Sequence, residues 1–182
     1  MRAEQQRKEE ELERLSKLNQ DDKELKSDPQ RLRAAQQRRE QGQNLFKQEH
    51  WAEAQTRFVQ ALAILGELYD TSSEENRARK SEIALSCHLN IASCSIKLRM
   101  WRNAVNNSTS ALELSPDNAK ALFRRGQANA ALNEYADAKR DLSRAKELTN
   151  GDPAIVAELE QVIAREEQAK AQEKKMFARM FA

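Results

Sequence analysis

Residues 117–138 read DNAKALFRRGQANAALNEYADA, a stretch whose vocabulary is helical almost from end to end. Its first turn and a half carries Lys120, Arg124 and Arg125. Behind them come Gly126, Ala128, Ala130 and Ala131, all with little or no side chain. A helix this lean is one that another helix approaches closely. Lys120 and Arg124 stand four residues apart and therefore share a face. Two cations lie side by side on a helix built for close packing.

The spacing repeats along the chain. Aromatic-x-x-Ala occurs at Trp51–Ala54, Trp101–Ala104 and Tyr135–Ala138, and each Ala is followed seven residues later by another, Ala61, Ala111 and Ala145. Gly42, Ala92 and Gly126 precede the first Ala of their copies by twelve residues. The third copy follows the second by 34 residues, and the second follows the first by 50. A 34-residue unit with small residues at these offsets is the signature of the tetratricopeptide (TPR) repeat, in which antiparallel helices touch where side chains are small. The expected fold is all-α: three helix-turn-helix repeats in a right-handed superhelix, at about 35–69, 80–116 and 118–150.

The flanks are read in the same way. Residues 1–28 hold 7 basic and 9 acidic residues, with only Leu12, Leu15, Leu18 and Leu25 as a thin apolar stripe. They are expected to form a charged helical arm ahead of a TPR domain over 29–182. Asp28-Pro29 reads as an N-cap and first helical position, and Ser72-x-x-Glu75 as a capping box after the sixteen-residue insertion. Pro116 closes the second repeat and TNGDP, 149–153, the third. A long C-terminal helix over 153–180 then caps the last repeat with Ile155, Leu159, Val162 and Ile163.

Composition narrows the function. Four Gly and three Pro in 182 residues suit helices, and 33% charged residues nearly cancel to a formal +2, so nothing points to nucleic acid. No apolar run approaches the roughly 20 residues of a membrane span, and the N-terminus is too charged for a signal peptide. A cytoplasmic protein is expected. Cys87 and Cys94 are seven residues apart on one helix, about 10 Å along its axis. That is too far for a disulfide, so they read as small buried residues on one stripe. With only His50 and His88 beside them, neither a metal site nor any cofactor is expected. No nucleophile–base set or phosphate loop supports catalysis.

Repeat arithmetic places partners around the two cations. The first helices of TPR units line one concave groove. Asn90 lies 34 residues before Arg124, and on the first such helix Arg39 and Gln43 stand one turn apart. Arg39, Gln43, Asn90, Lys120 and Arg124 would form a donor-rich ring suited to a carboxylate. This pattern resembles the carboxylate-clamp TPR domains of chaperone co-factors. In that family Lys and Asn, Asn, and Lys and Arg from successive repeats hold the C-terminal Glu-Glu-Val-Asp tail of heat-shock protein 90 or 70. Asn90, Lys120 and Arg124 match, whereas Arg39 replaces Lys and Gln43 replaces Asn.

Within the family, EIALSCHLNIASCSIKL, ALELSPDNAKALFRRGQA and the ending MFARMFA resemble the TPR part of large immunophilins, TPR-bearing cyclophilins above all. The resemblance covers about residues 36–182 and implies a non-enzymatic adaptor. Residues 1–35 hold nothing like a β-rich isomerase domain. The alternatives are a scaffold for another acidic segment, or the docking half of a peptidyl-prolyl isomerase.

Arg125 reads as solvated surface, and Trp51 and Trp101 as core packing. Phe46, one turn after Gln43, reads equally as groove lining or as core. The tail, with Lys170, Lys174, Lys175 and Arg179 beside Met176, Phe177, Met180 and Phe181, has the amphipathic composition of a calmodulin or membrane-surface ligand. A protruding helix end is the plainer reading.

Overall fold

The computed structural model describes residues 27–68 and 73–180. Nearly all of the expected N-terminal arm, together with Ser72 and Phe181, lies outside the described residues. Within them the chain forms seven helices and no strand: α1 (Asp28–Lys47), α2 (Trp51–Gly66), α3 (Glu74–Lys97), α4 (Trp101–Leu114), α5 (Ala119–Ala131), α6 (Tyr135–Leu148) and α7 (Pro153–Met180). This is the all-α TPR architecture. Helices pair as α1 with α2, α3 with α4 and α5 with α6, and each pair stacks on the next element.

The small residues sit where helices cross. Ala54, Ala92, Ala104 and Ala138 are fully buried. A Cβ on Gly42 would stand 2.7 Å from the Phe58 ring, and one on Gly126 would stand 2.7 Å from Leu142 Cγ. Around these crossings the core divides into two clusters. One gathers Leu32, Phe58, Leu65, Ile83 and Cys87; the other gathers Leu122, Leu142, Ile155 and Val162.

Each repeat turns in the same way. Glu49, Arg99 and Asn133 adopt left-handed φ values of 65°, 57° and 63°. They are spaced by the same 50 and 34 residues as the alanines. The next N–H then reaches back five residues: His50 to the Leu45 carbonyl at 3.0 Å, Met100 to Ser95 at 2.8 Å, and Glu134 to Asn129 at 2.8 Å. Gly151 N–H closes α6 likewise on the Lys146 carbonyl at 2.9 Å, after Asn150 at φ 52°. These loops satisfy the terminal carbonyls that a helix otherwise leaves open.

The helix starts differ from expectation by one residue. The cap of α1 is Ser27, and Asp28 is the first helical residue, buried and 3.8 Å from the Arg31 guanidinium. An acidic side chain in the first turn serves the helix dipole as well as a cap would. The cap of α3 is Ser73, whose Oγ accepts from Asn76 N–H at 3.5 Å. Glu75 instead pairs with Arg79 at 3.9 Å. The C-terminal cap also shifts: Ile155 and Val162 are buried, but Ile163 is 40% exposed because it points off the packed stripe. The contact is carried on past it by Glu166, which bonds Lys139 of α6 and Lys170 of its own helix.

Candidate functional site

Helices α1, α3 and α5 lie side by side, with α3 in the middle. On α3, Cys87, Asn90 and Cys94 recur at helical spacing and share a face. Both thiols are fully buried. Burial pushes Cys87 up to about 12, against the pull of the Arg39 charge. Burial pushes Cys94 up to about 11, against its backbone hydrogen bond and the Arg124 charge. The two arginines therefore approach α3 from opposite sides and at different heights, Arg39 toward Cys87 and Arg124 toward Cys94, and Asn90 stands half-buried between them.

Their bonding states differ. Arg124 Nη1 donates to the Leu89 carbonyl at 2.7 Å, which tethers the guanidinium to α3. Burial lowers its pKa, with Cys94 acting the other way. Arg39 has a buried Nε with no hydrogen-bond partner. Gln43 is half-buried one turn further along α1, and Lys120 is exposed one turn before Arg124. The arrangement offers charged and amide donors on neighbouring helices, and a buried donor left open is costly unless something accepts from it.

Other residues fall elsewhere. Phe46 meets Trp51 edge-on, with ring centroids 4.6 Å apart and planes at 67°, and packs against the first core cluster. Trp51 and Trp101 are half-buried rather than core. Each opens the second helix of its repeat at the rim, and Lys97 Nζ lies 5.5 Å over the Trp51 ring. His88 Nδ1 bonds Asn107 Oδ1 at 3.0 Å. Among the described residues no three His, Cys, Asp or Glu side chains gather to hold a metal. Nor is any described helix long and apolar enough to cross a membrane.

Arg125 overturns its expectation of a solvated side chain. Its Nε donates to Asp141 Oδ2 at 2.7 Å and its Nη2 to Asp141 Oδ1 at 2.8 Å. A third bond runs from Nη1 to Thr109 Oγ1 at 3.3 Å. Asp141 is only 2% exposed, so this is a bidentate pair to a buried carboxylate. The hydrogen bond to Asp141 raises the Arg125 pKa above its ordinary value. The carboxylate partner sits sixteen residues away on the next helix, and an Asp within the apolar stripe of α6 was the signal for it.

The fold and its turns define a TPR domain, and its structural neighbours are TPR domains of FK506-binding immunophilins and HSP90 co-chaperones. No protein-family model matches the chain. It is similar to peptidyl-prolyl cis-trans isomerase FKBP42 of Arabidopsis thaliana, 34% identical over 156 residues, covering 83% of this chain and 42% of that one. The chain thus spans about two fifths of that relative's length. Among solved structures it is similar to the C-terminal TPR-containing domain of a Plasmodium falciparum FK506-binding protein. There the TM-score is 0.75 at 26% identity, covering 80% of this chain and 96% of that one. It is also similar to the first TPR domain of Spaghetti (RPAP3) bound to the HSP90 peptide SRMEEVD. In that case the TM-score is 0.60 at 25% identity, covering 76% and 94%. These immunophilins are of the FK506-binding type, where the expectation from the sequence is the cyclophilin type.

Proposed function

We propose that this domain is a non-catalytic, cytoplasmic adaptor whose concave groove holds the acidic C-terminal peptide of heat-shock protein 90 or 70. In this reading Arg39, Gln43, Asn90, Lys120 and Arg124 clamp the terminal carboxylates, with Lys120 and Arg124 supplying charge from α5. Asn90 orients the peptide from the centre. Gln43 and the open Nε of Arg39 complete the ring from α1. Phe46 borders the groove at the foot of α1. The observation that carries the reading is the convergence of Arg39 and Arg124 on the Asn90 face of α3, in a fold shared with a domain bound to an HSP90 peptide. The isomerase name of the FKBP42 relative favours one further statement, that the domain serves as the docking part of a prolyl isomerase.

The test is calorimetric titration with peptides ending Glu-Glu-Val-Asp, as free acid and as C-terminal amide. Charge-assisted bonds are worth about 1.5–3 kcal/mol. Lys120→Ala or Arg124→Ala should therefore weaken the free acid at least about tenfold. Gln43→Asn should leave it unchanged or tighten it. Equal affinity for acid and amide would refute the clamp.

A further inference from the structure

Helix α5 carries both lysine and arginine of the proposed clamp, yet it is the shortest of the seven helices, at 13 residues. Its buried residues are Ala121, Leu122, Gly126, Ala128, Asn129 and Ala130, with Phe123 packed partly buried beside them, so most of that surface is small. Helices lock in rotation when the ridges of one fit the grooves of another, and small side chains make shallow ridges. Close approach here leaves few apolar keys to fix rotation, Leu142 seated against Gly126 among them. Arg125 adds a directional one. From α5 its fork reaches Asp141 on α6 at 2.7 and 2.8 Å and Thr109 on α4 at 3.3 Å, so one side chain ties α5 to two neighbours. The adjacent Arg124 points about 100° away round the helix and bonds the Leu89 carbonyl of α3. The tandem pair braces α5 on two sides.

We infer that Arg125 is a positioning residue, whose bidentate pair with Asp141 and bond to Thr109 set the rotation of α5 and so aim Lys120 and Arg124 into the groove. The inference rests on the proposed carboxylate clamp. A turn of about 10° moves an atom about 6 Å from the helix axis by about 1 Å, beyond the roughly 0.5 Å that a preorganised site tolerates. Lysine at 125 would keep the charge but lose the fork that fixes direction.

The test compares the 182-residue wild-type chain, Arg125→Lys and Asp141→Asn by calorimetry, below their melting temperatures, with a Glu-Glu-Val-Asp-ending peptide as free acid and as amide. Each variant should bind the free acid about fivefold more weakly while binding of the amide is unchanged, so the preference for the free carboxylate shrinks. A lowered melting temperature with the wild-type preference retained would overturn the inference and reduce Arg125 to a structural strut. Thr109→Val, which removes only the third bond, serves where the first two variants fail to fold. It should narrow the preference about twofold, in the same direction, and an unchanged preference there overturns the inference equally. If wild type itself does not distinguish acid from amide, the clamp falls and the inference falls with it. If wild type distinguishes them and every folded variant does so equally, the inference alone falls.

Discussion

Adding a single methyl group at Gly126 tests the packing that the repeat spacing implies. In most exposed helix positions Gly→Ala stabilises by about 1 kcal/mol, because alanine has the better helix propensity. At Gly126 the new Cβ would lie 2.7 Å from Leu142 Cγ, 3.0 Å from its Cδ2 and 3.3 Å from the Ala138 carbonyl oxygen. Leu142 is fully buried and has nowhere to swing, and the carbonyl belongs to backbone. The only relief is to move α5 away from α6, and overpacking of this kind costs about 1–3 kcal/mol. With the propensity gain set against the upper part of that range, the net loss is about 1–2 kcal/mol, or a melting temperature lower by about 2–8 °C. Gly66→Ala is the matched comparison. Gly66 ends α2, and a Cβ added there would meet nothing within 4 Å, so the same substitution should leave stability unchanged or raise it. Thermal melts of both variants followed by far-ultraviolet circular dichroism decide the matter. Gly126→Ala melting at or above wild type, or Gly66→Ala losing as much, would refute the close crossing.

Other outcomes follow from single features. Arg99→Gly should raise the melting temperature, because an L-residue at φ 57° costs about 1–2 kcal/mol, only part of which glycine's entropy takes back. A lower value would mean that the left-handed turn is not strained. The Glu166 carboxyl is held below its ordinary value first by Lys139 and then by Lys170, so its contribution is present above the usual carboxylate range and is lost as pH falls through the lowered value. The difference in melting temperature between wild type and Glu166→Gln should accordingly close below about pH 4. A difference constant from pH 7 to pH 3 would rule out the ion pairs as its source. Deleting residues 170–182 should leave cooperative unfolding intact, since Ile155, Val162 and the Lys139–Glu166 pair all remain. Loss of a single unfolding transition would place the exposed Met176, Phe177 and Met180 in the fold's cooperative unit.

Much of the fold was legible because its determinants are local and periodic. Gly42, Ala54, Ala92, Ala104, Gly126 and Ala138 announce crossings by being small at fixed offsets, and the structure puts each of them at a buried contact. The turns were less legible for a physical reason. Of the left-handed residues at the three repeat turns, only Asn133 is a type that favours that conformation, whereas Glu49 and Arg99 are held there by the backbone bonds around them. The one-residue shifts at Ser27 and Ser73 come from competition between adjacent polar residues for one cap, which spacing alone does not resolve.

The candidate site divides along the same line, and Arg124 and Arg125 show why. Adjacent in sequence and identical in type, they differ only in which neighbour each meets. Arg124 could be paired with Asn90 by counting one repeat, because the groove is a property of the register. The role of Arg125 depends on Asp141, a carboxylate on a different helix and 2% exposed, and periodicity says nothing about a charged side chain set into an apolar stripe. A buried carboxylate must nevertheless be paired or neutralised. The segment YADAKRDLSRA places Asp141 three residues after Ala138 and four before Ala145, both fully buried, which puts its carboxyl on the inner face of α6. A cation on the facing helix was therefore required, and α5 offers Lys120, Arg124 and Arg125. Lys120 lies at the exposed start of α5 and Arg124 turns to α3, so Arg125 is the one left to meet it. Under the proposed clamp the tandem divides its work: Arg124 stands on the groove side, bonded to the Leu89 carbonyl of α3, while Arg125 ties α5 to Asp141 of α6.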